Sequence, residues 1–382
     1  MGRMTRLAAA CAFAAALPAA ALAAGSGSDG AWAQPQIALV TSSGLFAGTP
    51  ATFQGGDPLT QGALAAALAK LTGAPATAPA DGAADVTMEQ LDRALVDALG
   101  LRDTAYRFWL AARRAGLNPP RRFGTEVVAR LLGLRLNHPA AQDDLELQPQ
   151  QTATRAEAAY SFAQILGLAG ATPPAPSVPP TAQTAPAAPA VPAPLAAPAT
   201  PPVAAAAATP YGSTSAVQQV KAEAQAFALP PLTPWQARIL ATAFSYVGYP
   251  YVWGGTGDGT AGFDCSGFVW RVYKLTAYPD EGDLAGVLRG RTTMEMSAEV
   301  PRSQRIAAAD LEPGDVMFFG RGPTSKPAQV DHAAIYVGNG WLVQSSGEGV
   351  ALAPFDGWYA RTFAWARRPL AEAALEDPAP AT

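Results

Sequence analysis

Two residues in the last third of the sequence could together carry nucleophilic chemistry, Cys265 and His332. The chain has only two cysteines and two histidines, so the candidates for a thiol and an imidazole are few. A cysteine nucleophile needs a nearby base and a group that orients this base. Cys265 follows a glycine-rich stretch and precedes an apolar segment. We therefore expect it at the start of a helix, where exposed N–H groups and the helix dipole favour the thiolate.

Gln344 is the candidate for the orienting group. The segment Gly338–Gly340, with the sequence Gly-Asn-Gly, separates two strand-like runs and is a strong hairpin signal. Two adjacent antiparallel strands can present His332 and Gln344 close together on one face. A neutral amide can accept a hydrogen bond from the imidazole N–H and hold the ring. The spacing therefore predicts a Cys265–His332–Gln344 constellation.

The elements that must position these residues begin near Leu232. Thr233 is a plausible N-cap, Pro234 suits the first turn, and the apolar spacing predicts a helix to about residue 247. The cysteine helix follows, and an irregular insert spans residues 275–306. Strands are expected at residues 315–319, 332–337, 341–344 and 362–367. Helices followed by an antiparallel sheet indicate an α+β domain over residues 231–370, with a disordered tail at 371–382.

Residues 34–170 are expected to form a helical domain with a rough internal repeat. Three helices start in the same way, with an apolar residue and a threonine at the N-cap, followed by helical apolar spacing. His138 precedes a proline and is predicted to be a loop residue without a catalytic role. The three starts are Leu59-Thr60, Val86-Thr87 and Ala153-Thr154.

The remaining segments indicate export and a spacer. Residues 1–33 have two early arginines, an apolar run and then small residues, which is typical of a signal peptide cleaved after Ala23 or Ala33. The alternative is an uncleaved membrane anchor, for which the apolar run is short and rich in alanine. Residues 171–230 are dominated by proline and alanine, as expected of an extended linker, and a short polar helix is expected at its end, at about residues 217–227.

Composition excludes several classes of partner and site. The formal net charge is −4 and no dense basic run occurs, which argues against nucleic acid as a partner. Two cysteines and two histidines are too few for a zinc site built from Cys/His clusters, and we expect no cofactor. If Cys11 leaves with the signal peptide, Cys265 is the single thiol and there is no intrachain disulfide.

Four motifs of the C-terminal segment resemble the NlpC/P60 family of cell-wall cysteine peptidases. They occur in the family order and extend over nearly all of residues 232–368. The resemblance implies a papain-like core and hydrolysis of stem-peptide bonds in peptidoglycan, commonly between γ-D-glutamyl and a diamino acid. The motifs are Tyr251–Gly255, Phe263–Phe268, Leu311–Phe319 and Asp331–Gly340.

The same resemblance assigns roles to single residues. It implies that Cys265 is the nucleophile and His332 the base, whereas Gln344 stands where the family most often has a histidine. Asp264 could receive a free amine of the stem peptide, or it could serve as the cap of the cysteine helix. Residues implied to stabilise the oxyanion or line the substrate pocket are Tyr251, Asp264 and Ser266.

The segment Thr154–Glu157, Thr-Arg-Ala-Glu, resembles the S-layer homology module, whose members bind polymers of the bacterial cell wall. The two earlier copies lack the arginine, and a generic helical domain is the alternative. Together, the expectations describe a secreted, wall-associated endopeptidase acting on peptidoglycan stem peptides, without a membrane span after signal cleavage. Two alternatives remain: an N-acetylmuramoyl-L-alanine amidase or acyltransferase on the same fold, and a non-catalytic wall-binding protein.

Overall fold

The computed structural model describes residues 30–168, 214–279 and 282–375. Most of the predicted signal peptide, the proline-rich part of the predicted linker and the last seven residues lie outside this range. Within the described residues, no helix has the length and apolar character required to cross a membrane.

The N-terminal region is helical, as the sequence predicts. Thr60 and Thr87 cap their helices by accepting hydrogen bonds from backbone N–H groups of the first turn, and Thr154 accepts one from the Glu157 N–H in the same way. The helices are α1 (Gln34–Ser42), α2 (Gln61–Thr72), α3 (Met88–Ala98), α4 (Arg102–Arg114), α5 (Phe123–Leu131) and α6 (Arg155–Leu168).

The three threonine-led starts meet in a closed triangle of backbone hydrogen bonds. The N–H of Leu59 donates to Ala153 O, that of Ala153 to Val86 O, and that of Val86 to Leu59 O, each at 2.8 Å. Each residue of the triangle directly precedes a capping threonine. Helices α2, α3 and α6 therefore start at the same junction, in equivalent positions around it. The internal repeat is therefore present as a pseudo-threefold arrangement.

The folded region begins earlier than residue 34. Ala33 is fully buried, and the ring of Trp32 contacts the ring of His138 with their centroids 4.5 Å apart. Residues 30–33, which we assigned to the signal peptide, thus belong to the described fold. Cleavage after Ala33 would separate Trp32 from its packing, so the structure favours the earlier of the two predicted cleavage positions.

The C-terminal region has the expected α+β architecture. Five antiparallel strands lie in the order β4-β3-β2-β1-β5. The helices are α7 (Ser215–Ala226), α8 (Pro234–Ser245), α9 (Cys265–Trp270), α10 (Thr293–Ala298), α11 (Gly357–Thr362) and α12 (Pro369–Glu372). The strands are β1 (Val316–Phe319), β2 (His332–Gly338), β3 (Trp341–Ser346), β4 (Gly349–Pro354) and β5 (Phe363–Arg367).

Strand β4 and helix α10 were missed from the sequence. Strand β4 has no alternation of polar and apolar residues because nearly all of it is buried. Helix α10 lies in the insert that we expected to be irregular, and Thr292 caps it in a capping box with Glu295. The hairpin between β2 and β3 is confirmed, with φ of 50° at Asn339.

The two faces of the sheet carry separate apolar clusters. Alternate residues of β2, including Ala333 and Ile335, join the main core together with Phe268 and Val269 of α9. Ala334 lies on the other face, in a smaller cluster that also contains Phe319. Because side chains alternate along a strand, His332 shares this second face with Ala334.

Helix α7 connects the N-terminal region with the sheet. It lies at the end of the segment that we assigned to the linker, and its buried residues Val217, Val220 and Ala224 show that this part is folded. Phe227, which follows it, packs against Phe108 of α4 and Trp341 of β3, with ring centroids 5.2 and 5.1 Å apart. The N-terminal helices and the sheet therefore share one apolar core.

Arg130 of α5 fixes the N-terminal helices to the C-terminal region. Its buried guanidinium donates hydrogen bonds to the backbone carbonyls of Gly248 and Glu348. Nearby, the rings of Phe123 and Phe244 stack with centroids 4.6 Å apart. A charged donor that satisfies buried carbonyl groups is costly to remove, so this contact holds the two regions in one orientation.

Replacing Gly248 tests this interface. Gly248 has φ of 98°, and an added Cβ would lie 2.8 Å from Cγ of the buried Glu126. We expect Gly248→Ala to lower the free energy of unfolding by about 1–3 kcal/mol more than Gly340→Ala, because it adds overpacking to the backbone strain. Gly340 is the matched control, with φ of 78° and open space around its Cβ position. Equal losses in urea unfolding would contradict the packing described here.

Candidate active site

Cys265 is the first residue of α9, at the position that the sequence predicts. The side chain of Asp264 caps the helix by accepting a hydrogen bond from the Gly267 N–H. The Cys265 thiol lies against the start of β2, with Sγ 3.9 Å from the carbonyl oxygen of Asp331. The sulfur is therefore beside the backbone that leads into His332, and Cys265 as a whole is 9% exposed.

Burial of the thiol acts against the ionised state that the sequence predicts. Burial, and then the negative charge of Asp264, raise the pKa of Cys265 to about 12. Backbone N–H groups of Ala333, Ser266 and Cys265 itself act in the opposite direction but do not outweigh burial. The helix start supplies the predicted donors, yet the thiol remains protonated at neutral pH in the free protein.

The capping carboxylate is also held by Arg291 from the insert. The guanidinium donates to Asp264 Oδ2 at 3.2 Å, to Ser266 Oγ at 2.8 Å and to Gly254 O at 3.1 Å. Ser266 donates in turn to Asp264 Oδ1 at 2.9 Å. Of the two roles considered for Asp264, the structure therefore shows the helix cap, and the carboxylate is paired with a cation.

His332 begins β2, and its ring lies on the face of the smaller apolar cluster. The ring centroids of Phe319, Trp358 and Tyr359 are 5.6, 6.0 and 6.2 Å from that of His332. Burial lowers the pKa of His332 to about 3, so the imidazole is neutral at neutral pH. Among the described residues, Nε2 of the ring has no hydrogen-bond partner.

Gln344 shares this face, because it pairs with Ala334 on the neighbouring strand. Its Nε2 donates to Ser346 Oγ at 3.0 Å, and its Oε1 is buried without a partner in the described part of the chain. The structure thus places an unsatisfied acceptor and an unsatisfied ring nitrogen on adjacent strands. No hydrogen bond joins Cys265 to His332, or His332 to Gln344, within the described ranges.

Tyr251 lies near the nucleophile candidate and is held from the N-terminal region. The Asn137 side chain forms two hydrogen bonds with the Tyr251 backbone. It accepts from the Tyr251 N–H and donates from Nδ2 to Tyr251 O at 3.0 Å. Burial first, and then the neighbouring charges of Cys265, Asp264 and Asp143, raise the pKa of the Tyr251 hydroxyl. The hydroxyl is therefore a neutral donor.

The sequence predicted the residues that neighbour Cys265 in the chain. It did not predict the residues of the site that come from distant parts of the chain. Asn137 and Asp143 come from a loop of the N-terminal region, where no pattern indicated contact with the C-terminal domain. Trp358 and Tyr359 cover His332 from a helix that was not predicted. Arg291, which pairs with Asp264, lies in the insert at residues 275–306.

The family comparison agrees with the sequence resemblance for the C-terminal region. Residues 248–368, about a third of the chain, match the model of the NlpC/P60 family. The α+β fold expected for it is the fold observed, with helices packed on an antiparallel sheet. Nothing in the comparison bears on the S-layer homology resemblance, which remains a prediction.

Two curated relatives show the extent of the similarity. The chain is 33% identical over 124 residues to the bifunctional muramidase/DL-endopeptidase CwlT of Bacillus subtilis. It is 35% identical over 128 residues to the murein DD-endopeptidase MepH of Escherichia coli. Each match covers 32% of this chain, and the matches span 33% and 41% of the respective relatives.

Solved structures give matches of the same extent. The NlpC/P60 domain of the peptidoglycan hydrolase SagA is 29% identical, and the match covers 35% of this chain and 97% of that domain with a TM-score of 0.27. An NlpC/P60 family protein from Bacillus cereus is 28% identical, with coverage of 38% and 43% and a TM-score of 0.29.

The high pKa of Cys265 predicts slow alkylation of the folded protein. At pH 8 we expect iodoacetamide to label Cys265 on the order of 10²–10³-fold more slowly in the folded chain than in urea, because a higher pKa leaves less thiolate. The rate in the folded chain should still rise between pH 9 and 10.5, where the unfolded chain levels off. Mass spectrometry of the Cys265 peptide gives both rates. A plateau below pH 8 in the folded protein would contradict the raised pKa.

Proposed function

We propose that the chain is a peptidoglycan hydrolase that cleaves stem-peptide amide bonds through Cys265. The observation that carries the proposal is the position of the single described thiol, at a helix start and beside the backbone that leads into His332, in a segment that matches the NlpC/P60 family. Relatives named as a DL-endopeptidase and a murein endopeptidase support hydrolysis of a peptide bond in the wall. The γ-D-glutamyl–diamino acid bond is the preferred candidate.

Burial determines how the reaction would start. The raised pKa of Cys265 and the lowered pKa of His332 both favour a neutral thiol and a neutral imidazole. The imidazole would therefore take the Sγ proton as the sulfur attacks the carbonyl carbon, acting as a general base. The imidazolium then returns this proton to the leaving amine as the C–N bond breaks.

The second half of the reaction uses the same imidazole. Water attacks the thioester carbonyl while His332 accepts one of its protons, and the C–S bond breaks to regenerate the thiol. The Tyr251 hydroxyl and the Cys265 N–H would donate to the oxyanion that forms in each half-reaction. Asn137 holds the backbone of Tyr251 and the Asp264 cap holds the start of α9, so the backbone that carries both donors is held before substrate arrives.

Gln344 would orient the imidazole. A hydrogen bond from the His332 Nε2–H to Gln344 Oε1 would satisfy both atoms, which are otherwise without partners in the described structure. It would also leave Nδ1 as the nitrogen that accepts the thiol proton. An amide serves this role without a charge of its own, and so costs less to bury than a carboxylate.

Digestion of purified peptidoglycan by the mature chain tests the assignment. We expect wild type to release muropeptides cut within the stem, with a new amine on the diamino acid, and Cys265→Ala to release none above background. Gln344→Ala should lower kcat by about 10-fold or more with little change in KM, since it removes a positioning group. Gln344→His is the conservative control and should retain activity.

Other products would identify the alternatives. Freed muramyl groups would indicate the amidase, and transfer of the acyl group to an added amine would indicate the acyltransferase. Wall lysis that survives Cys265→Ala would remove the role assigned to the sulfur. If wild type releases nothing from any wall while still binding it, the non-catalytic wall-binding alternative applies.

The N-terminal region is proposed to bind cell-wall polymer, which would place the chain outside the cell at the wall. The pseudo-threefold junction of Leu59, Val86 and Ala153 supports a repeat module of the S-layer homology type. We expect the Cys265→Ala chain to sediment with intact cell walls, and to lose most of this binding once covalently attached polymers are stripped with hydrofluoric acid. Equal binding to stripped walls would assign recognition to the peptidoglycan itself.

A further inference from the structure

Ser346 lies beside Gln344 at the end of strand β3. Alternate residues of a strand point to the same face, so both side chains lie on the face that also carries His332. Ser346 is 1% exposed, and its Oγ accepts a hydrogen bond from Gln344 Nε2 at 3.0 Å. Within the described ranges, no hydrogen bond joins Ser346 to Cys265 or His332, so an effect of Ser346 on the reaction would act through Gln344.

The hydrogen-bonding capacity of the Ser346 hydroxyl is fully used. A serine hydroxyl can accept two hydrogen bonds and donate one. Its Oγ accepts from Gln344 Nε2 and, at 3.3 Å, from the N–H of Glu348 in the turn after β3. Burial and then the charge of Glu348 raise the pKa of Tyr359, and a hydrogen bond with the Ser346 side chain acts in the opposite direction. A hydrogen bond donated to the phenolic oxygen has this effect, so the Ser346 proton is directed to Tyr359.

These bonds determine the orientation of the Gln344 amide. The two ends of an amide have nearly the same shape, and the surrounding donors and acceptors decide which end faces which neighbour. Ser346 offers Gln344 only a lone pair, so the NH2 end of the amide points to Ser346. The other end, Oε1, is then free, and it is buried without a partner among the described residues.

We propose that Ser346 is a positioning residue of the reaction, which holds Gln344 with its oxygen towards His332. An amide oxygen in this place favours the imidazole tautomer with its proton on Nε2, and this tautomer leaves Nδ1 free to take the thiol proton of Cys265. A reversed amide would present its NH2 group and favour the proton on Nδ1, where the ring could no longer accept from the sulfur. The inference rests on the proposed function and identifies what orients its orienting group.

The tautomer of His332 can be measured by ¹⁵N NMR of the imidazole nitrogens. The chain has two histidines, and the ring signals that are lost in His332→Gln belong to this residue. At neutral pH the wild-type ring should carry its proton on Nε2, and Ser346→Ala should raise the share of the Nδ1–H tautomer. Ser161→Ala removes a fully buried hydroxyl from α6 and should leave the tautomer unchanged. A wild-type ring with its proton on Nδ1 would overturn the proposal.

Two further variants test the same network with smaller changes. Tyr359→Phe keeps the ring that covers His332 but removes the acceptor of the Ser346 proton, which could then donate to a reversed Gln344 amide. We expect it to shift the tautomer in the same direction as Ser346→Ala. Ser346→Thr keeps the hydroxyl on a residue type that suits a strand, and should keep the wild-type tautomer. An unchanged tautomer in both Ser346→Ala and Tyr359→Phe would show that the positioning role is wrong.

The kinetics of peptidoglycan digestion provide a second measurement. Ser346→Ala should lower kcat about 3- to 10-fold with little change in KM, because it alters the imidazole rather than the contacts with substrate. On the Gln344→Ala background the same substitution should cause no further loss, since no amide remains to be oriented. An equal loss on both backgrounds, or a loss without a change of tautomer, would mean that Ser346 acts only on the fold and would overturn the proposal.

The tautomer separates this inference from the proposed function, because it is measured without substrate. If wild type cleaves no peptidoglycan while Ser346→Ala still shifts the tautomer, the hydrolase proposal fails and the orientation of Gln344 by Ser346 stands. If wild type cleaves peptidoglycan but Ser346→Ala changes neither the tautomer nor kcat, the hydrolase proposal stands and the positioning role fails. If cleavage and the tautomer shift are both absent, both proposals are overturned.

Discussion

The structure depends on one buried contact, the guanidinium of Arg130 inserted among backbone carbonyls of the C-terminal region. Carbonyls buried without donors would each cost about 1–3 kcal/mol, and a buried guanidinium without acceptors would cost more. The buried carbonyls therefore require the guanidinium as their donor, and the guanidinium requires the carbonyls as its acceptors. Around this contact, aromatic packing between Phe123 and Phe244 gives the two regions a shared core. The N-terminal helices thus pack with the C-terminal α+β region as one structure rather than as a separate module.

This attachment has consequences for the chemistry. Asn137 and Asp143 follow α5 in the chain, so the orientation that Arg130 fixes also sets where their side chains meet Tyr251 and Trp253. A region on a flexible tether would influence only the local concentration of its partner domain. A region fixed in this way also contacts the segment that leads to Cys265. The proline-rich segment links two parts of the chain that already share a core, which differs from the reach between independent domains that we expected.

Burial changes the pKa values of Cys265 and His332 more than the helix dipole does. Cys265 has the donors of a helix start, but desolvation raises its pKa, and His332 is driven in the opposite direction by the aromatic rings around it. Both shifts favour the neutral thiol and the neutral imidazole, so under the proposed function Cys265 would ionise only as its proton is transferred. A buried thiol of this kind is protected from oxidation and alkylation, which depend on the thiolate.

The sequence alone determined the local features of this protein. The Gly-Asn-Gly hairpin, the threonine caps, the position of Cys265 at a helix start and the α+β order of the C-terminal domain all follow from residue types that act on their immediate neighbours. The Cys265, His332 and Gln344 positions could be selected for the same reason, since so few residues in the domain could carry the chemistry.

Only the tertiary structure decided what depends on long-range packing. Strand β4 is apolar on both faces because the sheet is covered on both sides, which no local period reveals. The raised pKa of Cys265, the aromatic cover of His332 and the hydrogen bond from the Trp253 N–H to Asp143 each depend on residues distant in sequence. The local sequence determines where the residues of the site lie in the chain. Their pKa values depend on desolvation and on contacts between the two regions, and both of these exist only in the assembled fold.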